Sequence, residues 1–333
     1  MNKKVSLKDI AAQVGVSTAL VSYVLNNKKE GRIGKEVAEK IKKVARDLNY
    51  QPNQIARSLK VQKTFSIGLI VADIANPFFA QIARIIEDEA KKNGYSLIFG
   101  SSDENVSKTQ DLIELLINKQ VDGLILALPD QAEEQIIYLK RSGIPFVLVD
   151  RYYPSISTNF VAINNYDAAQ KAVRHLMEQG HKRVGIVTYK TTLFHLNERV
   201  RGSVDLLREN ALVGEVHIDH IQEDVTHLVA GFLSDANPVD SLFFTSNLLA
   251  IAGLKYINSL GIIIPDQLAV VAFDETDACD LFYAPLTFIR QPMADLGRMS
   301  VKLLLNSIAN NNSIAAVQYD TELVVRDSSI IRK

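Results

Sequence analysis

From residue 64 the chain alternates between two hydrophobic patterns. Short continuous apolar runs rich in β-branched residues, "FSIGLIV", "SLIFGS", "VDGLILAL" and "PFVLVD", are separated by stretches such as "FFAQIARIIEDEAKKNG" and "SKTQDLIELLINKQ". The runs predict strands buried on both faces, and the stretches between them predict amphipathic helices. That alternation predicts a parallel sheet covered on both sides. The pattern then recurs: "VGIVTY" echoes "IGLIVA", "VDSLFFTSN" echoes "VDGLILALP", and "LAVVAFDE" echoes "PFVLVDRY". Gly68 to Gly123 spans 55 residues and Gly185 to Ser241 spans 56, so the repeat keeps its spacing. Two tandem open α/β units facing each other across a cleft are expected.

The first fifty residues carry a different pattern. "SLKDIAAQVGVSTALVSYVLNN" (6–27) reads as two short helices. Ser6 caps the first, with Asp9 three positions on in an approximate capping box, and Ile10, Ala11 and Val14 form its apolar stripe. Gly15 permits a sharp turn, and Ser17 caps a second helix that turns Leu20, Val21, Val24 and Leu25 inward. "KEVAEKIKKVARDLNY" adds a third helix with Val37, Ile41, Val44, Ala45 and Leu48 on one face. A helix-turn-helix places its second helix in the DNA major groove, N-terminal residues first. The outward positions are Thr18, Ala19, Ser22 and Tyr23, flanked by Ser6, Ser17 and Asn26 as further candidates for DNA contact.

Charge sharpens that division. The whole chain is nearly neutral at −1, yet residues 1–63 carry +9 and the remainder −10. A small basic head on a large acidic body is the footprint of a nucleic-acid binder with a separate second function. At 333 residues, 47% hydrophobic and 23% charged, the chain can build two or three domains. No apolar run approaches the ~18 residues of a membrane span, and "MNKKVSLKDIAAQ" lacks a secretory h-region, so a cytoplasmic location is expected. The single cysteine, Cys279, excludes an internal disulfide and a thiolate cluster.

"LKDIAAQVGVS…VSYVLN", "LNYQPNQIARSLK" and "SIGLIVADIANPFF" resemble the lactose/galactose repressor (LacI) family of bacterial transcription factors. The resemblance continues through "VDGLILA", "GHKRVGIV", "ERVRG", "VVAFDE" and "RQPMADLG", the full length of the chain. Departures are local. Leu20 and Tyr23 stand where the family usually has Thr and Arg or His, and "GKEVAEKI" lacks a usual Thr-Arg pair. The first two bear on the operator sequence, not on the fold. The resemblance implies an α/β core of periplasmic-binding-protein-like form, two lobes each a doubly wound parallel sheet, behind the helix-turn-helix head. It implies boundaries at 1–51 for the head, 52–63 for a hinge and 64–333 for the core. One lobe then covers about 64–163 and 293–322, and the other about 164–292 and 323–333. In such repressors the hinge helix pairs with its dimer mate in the minor groove. Leu59 would wedge a base step, Arg57 and Lys60 would reach phosphates, and Ala56 would allow close approach. With no leucine heptad at the end of the chain, a homodimer on a pseudo-palindromic operator is expected rather than a tetramer.

In open α/β sheets a ligand sits beyond the carboxyl ends of the strands. Those ends include Asp73, Asp103, Asp150 with Arg151, Asn247 and Asp274, with Phe78, Phe79 and Arg199 close behind. The resemblance assigns Asp73, Phe78, Phe79, Asp150, Arg151, Arg199, Asn247 and Asp274 to the family's effector pocket. Strand-end acids also cap helices, and Phe78 or Phe79 also suits a core. An enzyme on the same scaffold is disfavoured: the 16 glycines hold no Gly-x-Gly, and no phosphate-binding loop or Gly-x-Ser-x-Gly elbow occurs. His217, His220 and His227 lack zincin spacing, so no metal or cofactor is expected. A secreted sugar-binding protein would not carry the head. Four acids, an amide and two arginines suit a polyol, with no lysine among the candidates to favour phosphate. A neutral sugar is therefore the expected effector, ahead of a sugar phosphate, a purine or a phosphoprotein corepressor.

Overall fold

The computed structural model describes residues 5–25, 33–50, 63–309 and 313–330. Ala56, Arg57, Leu59 and Lys60 of the expected hinge, and Asn26 of the head, lie outside the described residues. The head, to Thr64, and the body, from Phe65, are separate compact units.

In the head, α1 (Leu7–Val14), α2 (Thr18–Leu25) and α3 (Lys35–Asp47) enclose Ile10, Ala11, Val21, Val24, Ile41 and Ala45. The Ser6 amide and hydroxyl both donate to Asp9 Oδ2, at 2.8 and 2.7 Å, which stations a carboxylate at the positive end of α1. Gly15 ends that helix at φ 83°, where a side chain would be strained. Ser17 Oγ accepts the Leu20 amide at 3.2 Å and starts α2. Ser6 and Ser17 therefore engage their hydroxyls within the head, whereas Thr18, Ala19 and Tyr23 face outward and Ser22 is half-buried.

The body contains two six-stranded sheets. The first is built from β1 (Ser66–Val71), β2 (Ser96–Ser101), β3 (Gly123–Leu126), β4 (Phe146–Val149), β5 (Phe160–Ile163) and β11 (Ala316–Tyr319). The second holds β6 (Val184–Tyr189), β7 (Ala211–Val216), β8 (Ser241–Phe244), β9 (Ala269–Phe273), β10 (Thr287–Arg290) and β12 (Glu322–Val324). Their orders, β2-β1-β3-β4-β5-β11 and β7-β6-β8-β9-β10-β12, are the same arrangement twice. All pairings are parallel except β10 with β12, which run antiparallel through Phe288↔Val324. Sequence pattern could not show that reversal, because β12 is only three residues long.

Helices follow the strands as the alternation predicts. In the first lobe these are α4 (Pro77–Lys92), α5 (Val106–Asn118) and α6 (Glu133–Ser142). In the second they are α7 (Asn165–Glu178), α8 (Phe194–Leu207), α9 (Ile221–Ser234), α10 (Asn247–Ser259) and the short α11 (Ala278–Leu281). The last long helix, α12 (Met293–Ile308), returns to the first lobe and packs on α4, β3 and β4. The chain thus crosses between lobes after β5, after β10 and between β11 and β12. Helix α7 lies so close on α8 that a Cβ at Gly202 would meet the Tyr166 carbonyl oxygen at 2.3 Å. Only glycine fits there.

Candidate functional site

Each sheet reverses its winding beside its first strand, between β1 and β3 and between β6 and β8. The carboxyl ends of the strands there border a cavity of about 400 Å³ between the lobes. Asp73, Phe78, Phe79, Asp103, Asp150, Arg151, Arg199 and Asp274 all line it. Asn247 is the exception among the expected residues. It is buried just behind the wall, where its Nδ2 donates to Asn76 Oδ1 of the other lobe at 2.9 Å, and its neighbours Ser246 and Leu248 face the cavity instead.

The charged groups are held in different ways. Asp150 and Asp274 end β4 and β9 with φ of 66° and 70°, a backbone that aspartate tolerates better than most residues. Both are buried, and burial raises both carboxyl pKa values against the pull of Arg199, that of Asp150 to about 6. Asp274 Oδ1 accepts Gln291 Nε2 at 2.7 Å. Asp150 Oδ1 has no protein partner among the described residues.

Arg151 turns its fork to Glu104, at 2.6 and 2.7 Å, and its Nη1 also donates to the Leu128 carbonyl at 3.0 Å. Its Nε lies 3.9 Å from Asp150, beyond hydrogen-bond range. Arg199 donates to Asn165 Oδ1 at 2.8 Å and the Thr245 carbonyl at 2.6 Å, with its guanidinium 3.5 Å from the centre of the Phe273 ring. Phe79 offers its face to Arg151 at 5.3 Å and packs edge-on against Phe78. Asp103, at the exposed rim, binds Ser101 and Lys108, and these partners lower its pKa.

Several lining residues escaped the sequence reading. Glu104 follows Asp103 by one position, but nothing in the pattern showed that it, and not Asp150, takes the Arg151 fork. His195 lies one turn before Arg199 on α8, so it shares that face. Burial, reinforced by Arg199 and Arg151, drops its pKa well below the usual value, leaving a neutral imidazole whose Nδ1 is unpartnered among the described residues. Asp130 of the first lobe accepts Thr191 Oγ1 at 2.6 Å and the Thr192 amide at 2.7 Å from the second, closing one side of the cleft. Lys190 also stands on the wall, contrary to the expectation of a lysine-free site.

The pattern of periplasmic binding proteins and the sugar binding domain of the LacI family matches residues 64–326. That of bacterial regulatory proteins of the lacI family matches residues 6–53. The chain belongs to the LacI family. It is a DNA-binding transcriptional regulator with an effector-binding core. Similar LacI-family chains include a ribose operon repressor of Halalkalibacterium halodurans, 33% identical with 97% of each chain covered. The HTH-type transcriptional repressor PurR of Haemophilus influenzae is 29% identical, with 98% of each chain covered. Among solved structures, a lac repressor dimer bound to operator and an anti-inducer shares the fold. Its TM-score is 0.86 at 21% identity, covering 99% of this chain and 100% of that one. A LacI family regulator of Enterococcus faecalis with bound ribose gives a TM-score of 0.73 at 27% identity, covering 80% of this chain and 100% of that one. Among the described residues no helix is long and apolar enough to cross a membrane.

Proposed function

We propose that this regulator is a cytoplasmic homodimeric repressor whose effector is a neutral sugar, bound between the lobes. The observation that carries the reading is the state of the two arginines. Each has its guanidinium engaged by protein groups, Arg151 by Glu104 and Leu128, Arg199 by Asn165 and Thr245. A bidentate arginine–phosphate pair needs an open fork, and at Arg151 a phosphate would have to displace the Glu104 carboxylate. The lining residues Asp150, Gln291, His195 and Arg151 instead each carry a buried polar atom with no partner among the described residues: Oδ1, Oε1, Nδ1 and Nε respectively. A mixed set of acceptors and donors matches vicinal hydroxyls, which both give and take hydrogen bonds. Lys190 is exposed and opposes this set with one charge, against Asp73, Asp103, Asp130, Asp150 and Asp274 on the same walls.

The similarity to a ribose operon repressor and to a ribose-bound regulator makes ribose the first sugar to try. Thermal shift of the full chain with ribose, glucose, galactose, ribose 5-phosphate and hypoxanthine decides the class. Stabilisation by ribose 5-phosphate and by none of the parent sugars refutes the proposal, as does stabilisation by hypoxanthine alone.

The head, residues 1–51, would read inverted half-sites, with 52–63 as the hinge helix and Leu59 as its wedge. A Leu59→Ala chain should lose operator bending and specificity while keeping salt-dependent non-specific binding. Unchanged bending in a gel assay ends that assignment.

A further inference from the structure

We infer that the head selects its operator through thymine methyl groups, read in the major groove by Thr18 and Ala19; this rests on the reading of the head given above. Helix α2 is the eight-residue stretch TALVSYVL, and it holds no charged and no amide side chain. Leu20, Val21, Val24 and Leu25 pack into the core of the head, which fixes the helix about its own axis. Ser17 sets where the helix begins, by accepting the Leu20 amide. Thr18, Ala19 and Tyr23 are left exposed, with Ser22 half-buried. Ala19 and Tyr23 are one turn apart, so they present a single face.

Side chains tell base pairs apart in the major groove by a short set of contacts. Arg and Lys read guanine, Asn and Gln read adenine, and Asp and Glu accept from cytosine. Helix α2 can make none of these. The exposed cations Lys8 on α1 and Lys35, Lys40, Lys43 and Arg46 on α3 stand on the other helices of the head. There they suit phosphates, and phosphate contacts carry no sequence information. What α2 retains is hydroxyls and the methyl groups of Thr18 and Ala19. A hydroxyl both donates and accepts, so it discriminates little between base edges. The C5 methyl of thymine is the apolar mark of the groove, and it is what a methyl group can recognise. Selection by this helix therefore falls on thymine, and the Tyr23 ring adds apolar surface beside Ala19.

Selection from random duplex DNA by the full chain supplies the operator. Each thymine of its half-sites is then replaced by deoxyuridine, which lacks only the methyl group. At least one replacement per half-site should weaken binding about fourfold, the worth of one buried methyl. Thr18→Ser removes one protein methyl and keeps the hydroxyl, and Ala19→Gly removes the other. At least one of these variants should bind the thymine and deoxyuridine operators equally. Any loss of helix stability lowers both affinities alike and leaves their ratio untouched. Thr18→Val, which keeps a methyl and loses the hydroxyl, should keep the penalty. Selected half-sites without thymine, no deoxyuridine penalty, or penalties unchanged in both variants overturn this inference and leave DNA binding by the head standing. A pool with no enriched site overturns the assignment of α2 as the reading helix as well.

Discussion

The two lobes place an aspartate at the same point of the same strand order and then treat it differently. Asp274, after β9, has a dedicated donor in Gln291 at 2.7 Å. Asp150, after β4, keeps one oxygen without a partner among the described residues, because the neighbouring Arg151 is turned away to Glu104. The second lobe brings a finished acceptor to the cleft and the first an unfinished one. Duplicated backbone therefore does not mean duplicated chemistry: the difference lies in which residue follows β2 and which follows β10.

The largest effect should come from breaking the device that turns Arg151 aside. Glu104→Ala leaves a buried guanidinium without its carboxylate and should cost about 3–5 kcal/mol in chemical denaturation of the body. Adding Arg151→Met should restore most of that loss. If the single variant is nearly as stable as the parent, the ion pair does not hold the first lobe's half of the site.

Asp150 should show its unfinished state as pH dependence. A carboxyl with a raised folded-state pKa binds more protons folded than unfolded between the two values. Its contribution is greatest below the ordinary aspartate pKa, 3.8, and is lost as pH rises through about 6. Asp150→Asn should flatten that slope, gaining about 3 kcal/mol over the parent at pH 8 and nothing near pH 3. Denaturation curves across that range read it directly. An unchanged slope would mean that Asp150 is better satisfied than its geometry shows.

In the second lobe, Arg199→Met leaves Asn165 Oδ1 and the Thr245 carbonyl without their donor. A loss of about 1–3 kcal/mol is expected, with operator binding kept and the effector response gone. A variant that responds normally would separate Arg199 from the site.

The smallest effect concerns helix starts. Asn105 caps α5 through the Lys108 amide at 2.9 Å, whereas His220, its counterpart before α9, makes no side-chain cap. Asn105→Ala should lose about 1 kcal/mol and His220→Asp should gain up to about as much. Equal and negligible changes in thermal melting would show that the caps do not distinguish the lobes.

Much of this architecture was legible because buried parallel strands and amphipathic helices have different periods. "FSIGLIV" and "VGIVTY" could scarcely be anything but β1 and β6. The walls of the site were legible as far as strand ends could be read, which is why Asp73, Asp150 and Asp274 were found. Residues recruited by side-chain reach were not. Glu104 is defined by where Arg151 points, Asp130 by threonines about sixty positions away, and Gln291 by a bond to Asp274. No local pattern encodes a partner that distant. Ile218 and Leu248, which also line the cavity, were missed for a related reason: their spacing is ordinary, and only the fold leaves them outside the core clusters.

The crossings between lobes bear on how the chain is made as well as on what it binds. Strand β11 closes the edge of the first sheet against β5, with pairs such as Ala316↔Phe160, yet it is synthesised only after almost all of the second lobe. Helix α12, which covers β3 and β4, arrives equally late. A nascent chain that has just finished β5 holds most of the first sheet without its last strand or that cover. Its exposed edge and apolar face persist until the second lobe has emerged, the interval in which unpaired strands seek other chains. The same return of the chain that builds a two-walled cleft makes the first lobe wait on the ribosome for its completion.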